Sequence, residues 1–183
     1  VAGGVTYLRW QEGKALTIQD QALQLYQETY RASLENPAAD KKEDYRKALE
    51  KFKEALSVYS RGRTGQVSPI FIGHVYSALK ENDQALAAYG LCLDGPLRHL
   101  ALNGMGYVFE AKGDYQKALE SFAKNMEAGN QPYQVEAMLG AARCHEALKQ
   151  KPKALEVYEK ALARAPKSAM AEFIRWKISE LKG

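Results

Sequence analysis

Four alanine–aromatic pairs, each four residues apart, recur along this chain: Ala48/Phe52, Ala85/Tyr89, Ala118/Phe122 and Ala154/Tyr158. The alanines are separated by 37, 33 and 36 residues. A small residue followed one helical turn later by a ring puts both on one face of a helix. Twelve positions before the last three alanines stand Gly73, Gly106 and Ala142, and nine before them Tyr76, Phe109 and His145. Ile72 and Met105 precede the first two of those small residues. Such a period, kept in register, marks an array whose units bury their apolar faces against one another.

The rest of the chain agrees with helices alone. Apolar residues recur at i, i+3, i+4 and i+7, and no segment alternates as a strand would. The six prolines, Pro37, Pro69, Pro96, Pro132, Pro152 and Pro166, read as punctuation between helices, because proline costs ~3 kcal/mol inside one. Ser68-Pro69 predicts an N-cap followed by the first helical residue. Gly113 is expected to end one helix in the left-handed conformation, with Asp114 capping the next. Gly106 and Ala118 should let two antiparallel helices approach. Phe109 and Phe122 then fill the space beside them, each burial contributing roughly 1.5–3 kcal/mol.

On these residues the chain resembles the tetratricopeptide repeat family, whose period is about 34 residues; GMGYVFEAKGDYQKALESF (104–122) is the clearest copy. The resemblance implies an all-α, right-handed α-solenoid of antiparallel helix pairs, about nine helices in all. Residues 1–12 read as a juxtamembrane or frayed tail. Residues 5–65 read as a long N-terminal helix plus a degenerate repeat, 66–166 as three repeats, and 167–183 as a C-terminal cap helix. The long helix carries Leu16, Leu23, Tyr26, Tyr30 and Leu34 on one stripe, and the cap carries Met170, Phe173, Ile174, Ile178 and Leu181. The repeat around Ala48 keeps its second helix but not its first, since Asn36-Pro37 stands where a helix interior is expected.

Catalytic and metal chemistry find no purchase. Cys92 and Cys144 lack ligand spacing, and adjacent Cys144 and His145 point about 100° apart on a helix, unsuited to a nucleophile–base pair. Asn103-Gly104-Met105-Gly106 contains GxG but follows no strand, so it is no nucleotide loop. His145 is expected to pack, as Tyr76 and Phe109 do. No enzyme, cofactor or metal is expected. The net charge of +4 is spread among acids. SRGRTG (60–65), the one small basic cluster, reads as a solvated loop, and nothing suggests nucleic acid. No stretch approaches the ~18 apolar residues of a membrane span.

Binding is what remains. In this family the first helices of successive repeats line a concave groove for a peptide or partner helix. The register projects that lining onto Ile70, His74 and Ser77, then Asn103, Tyr107 and Glu110, then Leu139, Arg143 and Glu146. There Asn103 would pair with a peptide backbone, Tyr107 stack, and Arg143 hold a carboxylate. Chaperone-tail-binding members use a clamp of lysines and asparagines. Of these positions only Asn103 matches it, so a dicarboxylate clamp is not expected.

The start YLRW (7–10), QALQLYQETYRA (21–32) and AEFIRWKISELKG (171–183) also resemble the YfgM-type family. That resemblance implies the periplasmic domain of a single-span bacterial inner-membrane protein, associated with the translocon and periplasmic chaperones. VAGGVTYLRWQ (1–11) suits a membrane exit, with Tyr7 and Trp10 interfacial around Arg9. The alternatives are a cytoplasmic or lipoprotein assembly factor for pilus or outer-membrane construction, or a self-assembling array that uses the Trp176 helix or the N-terminal helix.

Overall fold

The computed structural model describes residues 2–127 and 133–183, apart from the side chain of Ala2. Among the described residues there are nine α-helices and no strand: α1 (Ala2–Glu35), α2 (Lys42–Val58), α3 (Gly62–Ala78), α4 (Asn82–Gly90), α5 (Arg98–Ala111), α6 (Tyr115–Glu127), α7 (Gln134–Ala147), α8 (Lys151–Arg164) and α9 (Ala171–Lys182). They form two compact units, Val1–Arg98 and His99–Gly183.

In the first unit α1 packs along α2 and α3, and α3 along α4. Its core gathers Tyr45, Ala48, Leu49, Phe52, Ile72 and Val75 around Ala22 of α1. The helix absorbs the stretch expected as a tail: α1 is continuous from Ala2, although Val5, Tyr7, Leu8 and Trp10 stay exposed.

Two local expectations fail here. Pro69 lies well inside α3 rather than at its start, so Ser68 is no N-cap and Gly62–Gly65 is helix rather than loop. Tertiary packing overrides the proline cost, since Ser68, Pro69 and Ile70 are all buried. A buried tie secures the turn just before the proline: the Gln19 side-chain amide donates to Ser68 Oγ at 2.8 Å and to the Thr64 carbonyl at 3.4 Å. Gly65 is required as well, because a Cβ there would sit 2.2 Å from the Ser60 carbonyl oxygen. Of the basic pair in this stretch, Arg63 reaches Asp20 at 3.1 Å. Pro152 occupies the first turn of α8, Pro37, Pro96 and Pro166 lie between helices, and Pro132 falls outside the described residues.

The second unit is built on one ring. A Cβ added to Gly106 of α5, or to Gly140 of α7, would fall 2.4 Å from the Phe122 ring of α6. Only glycine on both sides lets three helices close on a fully buried phenylalanine. Tyr158 takes the equivalent place one repeat later, packed with Leu139, Ala142, Ala161 and Ile174. In the first unit Gly73 meets Tyr89 in the same way, with a Cβ only 2.5 Å from the ring. The helix α9 packs on α8 through Ala171 and Ile174, closing the unit as a cap.

The three first helices of the repeats end alike. Lys80, Gly113 and Lys149 adopt φ of 62°, 77° and 57°. The following N–H of Glu81, Asp114 or Gln150 donates to the carbonyl of Tyr76, Phe109 or His145 at 2.9, 2.9 and 2.8 Å. This is the Schellman closure. The expected Gly113 stop is present, and Asp114 Oδ1 accepts from the Lys117 N–H at 3.4 Å. The two lysines pay a steric cost that glycine avoids. Lys80→Gly and Lys149→Gly should therefore each raise stability by about 0.5–1 kcal/mol in urea unfolding, whereas Gly113→Ala should lower it by about 1 kcal/mol.

Candidate functional site

On the second unit, side chains from α5, α7 and α9 form a linked polar surface. Arg143 of α7 donates to both carboxylate oxygens of Glu110 on α5, from Nε at 2.7 Å and Nη2 at 2.8 Å. This bidentate pairing raises the guanidinium pKa, so the group stays charged. Its carbon lies 5.7 Å from the Tyr107 ring centre. That ring meets Phe122 edge-on at 5.4 Å, and its hydroxyl donates to the Glu136 carbonyl at 3.4 Å. Tyr107 is therefore held in place while 38% exposed. One turn further along α7, Glu146 accepts from the Tyr158 hydroxyl at 2.6 Å and from Lys177 Nζ at 2.8 Å. Burial and that carboxylate push the Tyr158 hydroxyl pKa up.

The expected lining residues divide. Tyr107, Glu110, Arg143 and Glu146 share this surface, but Arg143 already holds a carboxylate of its own chain. Ile70, Asn103 and Leu139 are buried and offer no side chain to a groove. Asn103 serves its own fold: its Nδ2 donates to the Tyr133 carbonyl at 3.1 Å, and its Oδ1 accepts from Asn125 at 2.6 Å. It thereby anchors the entry to α7, where Tyr133 has φ of 65° and stacks on His99 at 5.8 Å. Tyr158, read from the sequence only as a packed repeat ring, also bonds this surface through its hydroxyl, and Lys177 is not among the expected residues. The sign that would have found Lys177 is an acid followed by a base at about one repeat spacing, as in Glu110 and Arg143.

In the first unit, Ser77 is half-buried and His74 sits among rings. The Tyr89 hydroxyl shares a 2.7 Å hydrogen bond with His74 Nδ1, and Tyr26 and Phe71 lie at 6.3 and 5.5 Å. Burial lowers the His74 pKa to about 4. Both cysteines are buried and free. Burial pushes the Cys144 thiol up to about 11, with nearby Glu110 adding to it, which disfavours the thiolate. His145 Nδ1 lies 2.7 Å from Gln150 Oε1. Among the described residues no group of three acids, histidines or cysteines is placed to hold a metal.

Residues 97–167, the run from α5 through α8, match the tetratricopeptide repeat family. Solved structures extend the likeness to the fold of nearly the whole chain. Pseudomonas aeruginosa PilF superposes with a TM-score of 0.68 at 15% identity, covering 92% of this chain and 69% of that one. The kinesin-light-chain TPR-like repeats of Podosopora anserina reach 0.67 at 13% identity, over 93% and 86%. MamA reaches 0.57 at 16% identity, over 78% and 87%. No curated protein sequence matches the chain. The fold is that of tetratricopeptide solenoids.

His74 has a consequence in solution. The unfolded chain takes up a proton on this residue near pH 6.5, but the folded chain does so only near pH 4. Unfolding therefore binds a proton across that window, and the stability this contributes is lost as the pH falls through it. Urea midpoints of the native chain should drop more steeply between pH 6.5 and 4.5 than those of His74→Gln.

Proposed function

We propose that the protein is a non-enzymatic interaction scaffold that holds a segment of a partner protein against the α5–α7 surface of its second unit. One observation carries this reading: Tyr107 is exposed yet immobilised, between Phe122 and Arg143. A ring already fixed loses little freedom on binding, which is why rigid aromatic side chains anchor interfaces. Around it the charges of Glu110, Arg143, Glu146 and Lys177 are satisfied internally. The surface therefore suits a neutral or mixed-charge segment better than an acidic tail. Tetratricopeptide arrays work in this way, as repeated modules with an extended binding face.

We extend the reading to location, at the periplasmic face of a bacterial inner membrane, in keeping with the YfgM-type resemblance. Support comes from the exposed start of α1, where Tyr7 stacks on Trp10 at 5.9 Å and Lys14 lies 5.4 Å from the Trp10 ring centre. Aromatic and basic side chains together favour a lipid–water boundary. Among the described residues no helix is long and apolar enough to cross a membrane.

Two measurements test these statements. A photo-crosslinking residue at position 107 should capture a defined protein partner in cells, and one at exposed Glu159 of α8 should not; equal capture at both would reject the surface. In a Trp176→Phe background, Trp10 fluorescence should shift to the blue with anionic vesicles; an unchanged spectrum would reject the membrane contact.

A further inference from the structure

Each ring of a second helix in the second unit sits between two first helices. Phe122 of α6 meets Gly106 of α5 and Gly140 of α7, and Tyr158 of α8 packs with Ala142 of α7 and Ile174 of α9. Ile174 therefore stands in α9 where Gly140 stands in α7. The same step of 34 residues carries Arg143 to Lys177, and each of these bases reaches back to a glutamate of the preceding first helix. It also carries Leu139 to Phe173 and Ala142 to Trp176. In α7 these two positions are buried against Tyr158 of α8. In α9 Phe173 is 37% and Trp176 57% exposed, with ring centres 6.0 Å apart. The face that α8 covers on α7 is thus bare on α9, and it carries two aromatic rings where a solvated end is polar.

The bulk at this face defines what can cover it. Gly73, Gly106 and Ala142 are small because the covering helix brings a ring to them. At Trp176 the ring is already on the first helix, so a covering helix has to bring the small residue. This chain presents such a helix elsewhere. Gly4, Leu8, Gln11, Ala15, Ile18 and Ala22 form one stripe of α1 at helical spacing. Ala15, Ile18 and Ala22 are buried, but Leu8 is 51% exposed and nothing lies within 4 Å of a Cβ added to Gly4.

We propose that the start of α1 from a second copy of this chain lies antiparallel across the Phe173–Trp176 face of α9, in the place that α8 takes on α7. Charge and shape agree on this direction. With Gly4 of the second copy against Trp176, the antiparallel spacing brings Leu8 to Phe173 and Arg9 to Glu172. Glu172 pairs with Arg175 of its own helix, yet its side chain is 88% exposed and open to a second cation. A parallel helix in the same register would set Leu8 on Glu180 instead, losing the apolar contact. Tyr7, Trp10 and Lys14 lie on the neighbouring face of α1, so the contact does not rest on the membrane reading. It also uses none of the residues of the α5–α7 surface. The two contact surfaces differ, so the association is heterologous and each copy offers one of each.

Sedimentation equilibrium of the whole chain, from low micromolar to near-millimolar loading, tests this directly. The average mass should rise above that of one chain with concentration; a single-chain mass throughout would overturn the proposal. Trp176→Glu and Gly4→Leu change exposed positions, so both should keep the native circular dichroism while weakening association about tenfold or more. Gly4→Leu makes α1 more apolar, so unchanged or stronger association in that variant would rule out the close fit to Trp176. Arg9→Glu alone and Glu172→Arg alone should each weaken association several-fold, and the two together should restore it. Loss of association in Trp176→Glu with no effect of Arg9→Glu would mean that α9 meets something other than α1, and would overturn the proposal.

Discussion

The second unit depends on one aromatic ring held between two glycines. Phe122 belongs to α6, but the space it occupies is made by Gly106 of α5 and Gly140 of α7. Each glycine costs about 1 kcal/mol of helix propensity relative to alanine. A buried phenylalanine contributes about 3–5 kcal/mol when judged by truncation, so the exchange is favourable. It also sets the distance between the helices. Tyr107 follows Gly106 directly, and its ring consequently meets Phe122 edge-on; Arg143, one turn beyond Gly140, comes within reach of Glu110. The candidate surface is therefore a product of the packing beneath it.

The same logic explains why equivalent modules need not do equivalent work. A repeat fold requires the small residue and the ring that fills the space beside it, and these are kept at Gly73/Tyr89, Gly106/Phe122 and Ala142/Tyr158. It is far more tolerant between neighbouring second helices. There Tyr76, Lys53 and the Arg46–Glu81 pair can give way to His145, Ala123 and two glutamines. The side chains between those helices change while the helices stay in register.

Much of this was legible because the strongest constraint is periodic. Alanine–aromatic spacing located the second helices, and Gly113-Asp114 located a helix end and the following cap. The misses are equally physical. Pro69 reads as a boundary from local propensity, but the tie that secures its helix joins Gln19 and Ser68, 49 residues apart in sequence, and so has no local sign. Ile70, Asn103 and Leu139 were projected outward, although neighbouring positions on a helix differ by about 100°, so a small error in register turns a surface residue into a core one. Gly140 was overlooked because Ala142 already satisfied the small-residue position, while the ring of the preceding repeat imposes a second one. The Glu110–Arg143 pair was visible in principle, as opposite charges separated by one repeat.

The central claim is that Phe122 and its flanking glycines act as a single interaction, and a double-mutant cycle tests it most directly. The quantity to measure is the urea unfolding free energy of the native chain, Gly106→Ala, Phe122→Ala and the double variant. Gly106→Ala alone should cost at least ~2 kcal/mol, because neither ring nor backbone can yield. In the Phe122→Ala background the same change should cost nothing or stabilise by up to about 1 kcal/mol through helix propensity. Equal costs of Gly106→Ala in the two backgrounds would contradict the account.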